Sequence, residues 1–310
     1  MLVYEYKLDG SKKQFASIDE ALRTVQFIRN KSLRLWMDGK NVSQNDLQTN
    51  CAVLAKEYPF ASRLNSQARQ AAASRAWFAI SRFYDNCKKK KPGKKGYPTF
   101  QHNNRSVEYK TTGWKLDPDG RHITFTDGCG IGRLKLVGNP NQRLQAFPLK
   151  DIKRVRLVRR ADGYSAQFCV DTERKVEHTP SGKQLGIDVG LKSFLTDSQG
   201  NTVSNPRHYR KAESRLKRLQ RRLSKKQKKS ANRKKARKAL AKQHLKVQRQ
   251  REDFARKQAN ALVSSCDLIA YEDLQIKNMV KNRKLAKSIH DAGWGIFLQW
   301  LARYGAIPLK

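Results

Sequence analysis

Two short acidic stretches hold the residues best suited to chemistry. In LGIDVG, residues 185–190, the apolar Leu185, Ile187 and Val189 predict a buried strand with Asp188 in its middle. Burying an unpaired carboxylate is costly, so either the strand alternates and Asp188 faces solvent, or the carboxylate is a ligand. In DLIAYEDL, residues 267–274, Leu268, Ile269 and Ala270 predict a second short strand with Glu272 and Asp273 at its carboxyl end. That end is where sites form in open α/β sheets. Hard Mg²⁺ or Mn²⁺ ions take such oxygen ligands, and paired metals about 3.5 to 4 Å apart stabilise the attacking and leaving oxygens of a phosphodiester. On this reading Asp188 bridges two metals and Glu272 holds one. Asp273 is the adjacent alternative, but its side chain points to the opposite face if the strand continues.

The charge of the chain says what such a site would act on. The 310 residues carry 66 Lys and Arg against 26 Asp and Glu, a net charge of +40. Solubility needs a magnitude of only about 2 to 8 in a small domain. A polyanion would relieve the self-repulsion, and nucleic acid is the natural partner. An anionic membrane surface would need an apolar face on a basic amphipathic helix. No apolar run is long enough to span a bilayer, and the N-terminus reads as a strand rather than a secretory signal. Five scattered cysteines form no C-x-x-C pair, so they suggest neither a zinc site nor a disulfide framework and fit a reducing cytoplasm. The six histidines show no ligand spacing, and nothing points to a small-molecule substrate.

The elements that must position these residues can be sketched. LVYEYKLD predicts an isolated first strand. Helical texture runs from Ser17 to Lys91, with Ser17 and Glu20 as a capping box and Ser43 capping a second helix. On the third helix Trp77, Phe78, Phe83 and Tyr84 form a core seam at helical spacing, with base stacking as the rival role. KKKKPGKKGYPTF breaks the pattern as a basic loop that includes Lys94 and Lys95. Strand texture from Ser106 to Val176 predicts an antiparallel unit with a positive outer face that includes Arg154 and Arg156. GIGRLKL lacks phosphate-loop spacing. Between Arg207 and Lys257 there are 23 Lys or Arg and three Asp or Glu. Too few acids are present for the usual i, i+4 ion pairs, so this helical stretch, bent near KKQKKS, is assigned to nucleic-acid backbone contact. Its candidates are Arg215, Arg218, Arg222, Lys225, Lys226, Arg233 and Lys234, with Arg283 further on.

GIDVGLKSFLTDSQGN, LIAYEDLQIKNM and KNRKLAKSIHDAGWGIFLQWL resemble successive blocks of the TnpB (OrfB-type) family, transposon-encoded RNA-guided DNA endonucleases long described as transposases. The order and spacing match, and the resemblance covers essentially the whole chain. It implies an α/β chain with β-barrel and helical parts. A WED-like β-barrel (first strand in 1–16, remainder in 96–180) would hold an inserted helical REC-like domain at 17–95. An RNase H-like (RuvC) nuclease domain at 183–310 would follow, with a basic helical insertion at about 207–262. It further implies catalytic, metal-binding roles for Asp188 and Glu272, Mg²⁺ or Mn²⁺ as cofactor, and guide RNA and target DNA as partners, with base pairing reading the sequence.

The family pattern continues past IFLQWL with a four-cysteine zinc ribbon and a block holding a third catalytic Asp. Neither is present before Lys310, so no zinc is expected in this chain. Asp291 is the nearest acidic substitute, although its helical context suits capping better. The expectation is an RNA-guided RuvC-type endonuclease that cuts poorly; the alternative is a nuclease-inactive nucleic-acid-binding protein that occupies RNA-guided or DNA targets without cutting.

Overall fold

A computed structural model describes residues 1–138, 144, 147–172 and 180–305. The chain divides into two compact units, Met1–Glu173 and Arg174–Lys310.

The first unit opens with strand β1 (Leu2–Asp9), followed by helix α1 (Lys12–Asp38). The capping box lies one turn and a half earlier than Ser17. Ser11 accepts from the Gln14 amide, and the Gln14 side chain accepts from the Ser11 amide. Ser17 and Glu20 are therefore interior to α1, because S-x-x-Q ahead of Phe15 and Ile18 satisfies the free amides first. Ser43 does cap α2 (Gln44–Glu57), paired with Asp46. A single turn, α3 (Pro59–Ser62), leads to α4 (Ser66–Lys88), capped by Asn65.

Six more strands follow: β2 (Ser106–Tyr109), β3 (Trp114–Leu116), β4 (His122–Phe125), β5 (Gly132–Val137), β6 (Ile152–Arg160) and β7 (Gly163–Val170). With β1 they form one antiparallel sheet in the order β2-β6-β7-β1-β5-β4-β3. The end strands β2 and β3 are not paired to each other among the described residues, so the ladder is an open sheet rather than a closed barrel. Helices and sheet share one core, in which Ile18, Leu22, Ile28, Leu47 and Ile80 meet Val107, Tyr109, Phe125 and Phe168. Full burial of each such side chain is worth about 1.5–3 kcal/mol.

The second unit is built on a four-stranded sheet: β8 (Gln184–Asp188), β9 (Ser193–Asp197), β10 (Thr202–Ser204) and β11 (Leu268–Tyr271), ordered β10-β9-β8-β11. The first three strands are antiparallel, while β11 runs parallel to β8 after a long excursion. That excursion is α5 (His208–Ser224) and α6 (Ala231–Ser265), broken at 225–230. The chain continues through α7 (Ile276–Met279), α8 (Ala286–Ala292) and α9 (Trp294–Gly305). Phe194 and Phe297 are fully buried edge to face at 5.1 Å, with Ile187, Ala259, Trp294 and Leu301 around them. Among the described residues no helix is long and apolar enough to cross a membrane.

Candidate metal centre and nucleic-acid interface

Strand β8 is apolar where it is covered and ends where it meets solvent. Ile187 is buried and Asp188 is exposed, as the last residue of the strand rather than its middle. Val189 belongs to the turn that follows, where Gly190 donates its amide to the Phe194 carbonyl. A Cβ on Gly190 would lie 3.0 Å from the Ser193 carbonyl, so the tight turn that stops β8 at Asp188 favours glycine.

The parallel register brings the second carboxylate alongside. Leu268, Ile269, Ala270 and Tyr271 pair with Gln184, Leu185, Gly186 and Ile187. One step further, Glu272 follows Tyr271 as Asp188 follows Ile187. Two neighbouring strands about 4.8 Å apart thus end together, each with a carboxylate. The start of the pair is fixed by Asp267, whose carboxylate accepts from the amides of Ser181 (2.9 Å) and Gly182 (2.7 Å). Asp188, Glu272 and Asp273 are all exposed, and none has a hydrogen-bonded or ion-paired side-chain partner among the described residues. Two hard oxygen donors without a protein cation are a donor set that fits Mg²⁺ or Mn²⁺. Among the described residues no third His, Cys, Asp or Glu joins this pair in a three-donor cluster.

Asp291 does something else. It is buried, and its two oxygens accept from the amides of Tyr209 (2.7 Å) and Arg210 (2.9 Å). Its role is therefore capping, but of α5, a helix some eighty residues away in sequence, not its own. The same corner is pinned by Arg251, which donates to the His290 carbonyl, and by Arg210, which donates to Ser288 at 3.0 Å. Burial holds the nearby His208 imidazole below its usual pKa, against the opposing pull of Asp291. Gly293 takes a left-handed φ of +74° to end α8. The SIHDAGWG stretch is thus a structural joint between α5, α6 and α9.

The basic candidates separate into free and engaged groups. Arg215, Arg218, Arg222, Lys225 and Lys234 are exposed on α5, α6 and the turn between them, with no ion pair among the described residues. Arg283 is likewise exposed. Lys226 is half-buried, and its carbonyl and that of Leu223 accept from the Arg233 guanidinium at 2.8 and 3.0 Å. Arg233 therefore closes the bend between the helices. The one acid on α5, Glu213, is shared by Lys217 and Lys287 at 2.9 Å each. Those hydrogen bonds, Lys287 first, bring its pKa down to about 2.

In the first unit Arg154 and Arg156 line a groove of about 1140 Å³ with Arg75, Arg105 and Lys110. Glu108, only 9% exposed, organises it: Arg156 lies at 2.6 Å, Arg154 at 3.4 Å and Arg75 at 4.0 Å. Burial opposes the charge on Arg156, but the hydrogen bond and charge of Glu108 outweigh it and raise its pKa. Lys94 is exposed and Lys95 half-buried in the coil after α4.

The histidines hold one surprise. His122 lies with Asp117 and Asp119 in a cluster whose ligand atoms are all within 4.8 Å of one another. The D-x-D-x-x-H spacing of the β3–β4 turn carried that signal. The turn already employs these groups, since Arg133 donates twice to Asp117 (2.7 and 2.9 Å) and the Arg121 amide donates to Asp119 (2.8 Å).

Comparison with known proteins gives these features a context. Residues 167–283 match the OrfB_IS605 family model, described as "Probable transposase". A protein of Streptomyces pristinaespiralis named "Putative RNA-guided DNA endonuclease" is 28% identical over 304 residues, 94% of this chain and 71% of the relative. InsQ of Escherichia coli (strain K12), bearing the same description, is 30% identical over 142 residues, 40% of this chain and 35% of its own. A cryo-EM structure of a CRISPR-Cas12f ternary complex overlaps 94% of this chain and 70% of that one, at TM-score 0.31 and 15% identity, too loosely to carry an argument. The family model spans both acidic strand ends and the basic helices between them, and the chain is similar to this transposase family and to these relatives.

Proposed function

We propose that this chain is an RNA-guided DNA-binding protein and DNA endonuclease of the RuvC type, with Asp188 and Glu272 as its metal ligands. The observation that carries the reading is the β8–β11 register, which ends two parallel strands side by side on unpartnered carboxylates in a chain of net charge +40. Residues 183–310 would be the nuclease domain, 1–16 and 96–180 the WED-like part and 17–95 the REC-like part. Asp188 and Glu272 would hold Mg²⁺ or Mn²⁺, which when bound supplies positive charge at a phosphodiester and a more acidic water. The chain's own contribution is placement. The parallel ladder fixes both carboxylates, Asp267 locks the strand starts, and Asp291 holds α5 against the α8 joint. Exposed Arg215, Arg218, Arg222, Lys225 and Lys234 offer phosphate contacts whose affinity falls with salt. The relatives' description as RNA-guided endonucleases supports guide RNA and target DNA as the two partners.

A second reading, target occupation without cutting, is favoured by the two-donor rather than three-donor set. The test is cleavage of a target plasmid by the chain purified with its RNA, in Mg²⁺ or Mn²⁺, beside Asp188→Ala. Cutting that disappears in the variant supports the nuclease. RNA and DNA binding without cutting in either protein supports occupation, failure to bind RNA sinks the RNA-guided nuclease, and failure to bind either nucleic acid sinks both.

A further inference from the structure

Not all the aromatic residues of the third helix pack inward. Tyr84, near the end of α4, meets Trp36, near the end of α1, with ring centroids 6.0 Å apart at 82°. Tyr97, from the coil beyond α4, meets Trp36 at 5.7 Å and 45° and Phe83 at 5.2 Å. Trp36, Tyr84 and Tyr97 wall a cleft of about 500 Å³ that Trp77, Met37 and Val42 complete. Tyr84 and Tyr97 are 53% and 54% exposed, while Ile80 on the same helix is fully buried. Aromatic surface is thus left in water at one end of a well-packed helical layer.

The adjoining chain tells what would cover it. Residues 88–95 read KKKKPGKK, six lysines with no acid among them. The loop is tied back to α4 by Asn86, which donates to the Lys95 carbonyl at 2.9 Å, and it turns through left-handed Lys90, Gly93 and Gly96. An apolar peptide would give these lysines no counter-charge. The rings stand at 82° and 45° to one another, as walls of a slot rather than the flat apolar face a membrane surface requires. A flat π-system flanked by negative charge satisfies both halves of the site.

We propose that the Trp36–Tyr84–Tyr97 cleft stacks an unpaired base of single-stranded RNA, while the 88–95 loop holds the flanking phosphates. This rests on the RNA-binding reading above and gives it a location. The polar groups at the rim are Asn41 and Ser43, and the Ser43 hydroxyl is already bonded to Asp46 at 2.7 Å. Stacking here is therefore tolerant of base identity.

The experiment measures affinity of the full chain for an oligouridine RNA of about 12 nucleotides, within the usual site sizes, over a salt series. Tyr84→Leu/Tyr97→Leu should lose about 5- to 150-fold, the range for one stacked base, without changing the salt slope. Tyr84→Phe/Tyr97→Phe should bind like the wild type. Lys94→Gln/Lys95→Gln should reduce the slope by about 1.4, for two phosphate contacts at about 0.7 each. Ultraviolet crosslinking of a 5-iodouridine oligomer should mark Trp36, Tyr84 or Tyr97. Both tyrosines are mostly exposed, so the variants should keep the wild-type melting temperature. Unchanged RNA affinity in the folded leucine variant, with crosslinks elsewhere, would overturn the site while leaving the proposed function standing. A loss confined to the matching DNA oligomer would overturn the assignment to RNA. A wild-type chain that binds no RNA would remove the proposed function and this site with it.

Discussion

Several acidic side chains in the first unit are paired with arginines. Glu5 binds Arg160, Asp19 binds Arg159, Glu20 binds Arg63, Asp117 binds Arg133, and Glu108 gathers three guanidiniums. In the second unit Asp188, Glu272 and Asp273 stand exposed at two strand ends without such partners, although the sequence between them is dense in lysine and arginine. Exposed cations alone therefore do not decide which carboxylates are neutralised. The paired acids hold arginines of the first unit in place. The unpaired pair Asp188 and Glu272 leaves its oxygens free, which is what the proposed cation site requires.

The largest test of that contrast is at the strand ends. Asp188→Ala or Glu272→Ala should cost at least about 100-fold in cleavage, more than loss of an outer-shell partner, with the melting temperature unchanged. A large fall in thermal stability would show these groups to be structural like those of the first unit. Glu108→Ala should do the reverse. Three half-buried arginines lose their shared counter-charge, and after allowance for solvent screening denaturant unfolding should show a loss of about 1–3 kcal/mol. Asp291→Ala leaves two α5 amides uncapped and should lose about 1–2 kcal/mol by the same measurement, with Asp291→Asn recovering part of it.

The smallest effect concerns Glu213. Its carboxyl falls from 4.5 to about 2 through hydrogen bonds from Lys287 and Lys217. Its contribution to the α5–α8 contact is therefore complete above about pH 4.5 and lost as pH falls through about 2. Amide exchange in α8 should show that acid weakening in the wild type and not in Glu213→Gln.

Local patterns were readable wherever neighbours in sequence are neighbours in space. The apolar residues of β8, the Ser43 cap, the break between the two basic helices and the acidic ends of both strands follow from short-range rules. The Ser11 cap is masked because Ser17-x-x-Glu20 offers the same motif a turn and a half further on. Strand β10, only three residues long, has too few positions to show a period. The parallel pairing of β8 with β11, the reach of Asp291 to α5 and the meeting of Trp36, Tyr84 and Tyr97 are long-range contacts that no local window contains. Of the aromatic seam read on α4, Phe78 (61%) and Tyr84 (53%) are exposed and Trp77 and Phe83 partly buried, and periodicity alone cannot see exposure.

The parallel pairing also orders events in time. Strand β8 cannot pair with β11 until the residues up to 271 have been made, and closing so long a loop slows the search further. The α5–α6 hairpin needs only its own short turn, and its positive surface exists as soon as both helices form. Pulse-labelled amide exchange should accordingly find α5 and α6 protected before β8 and β11. During synthesis the newborn chain would acquire its basic hairpin before its two carboxylates are neighbours, so on the proposed function the surface for nucleic acid precedes the metal site.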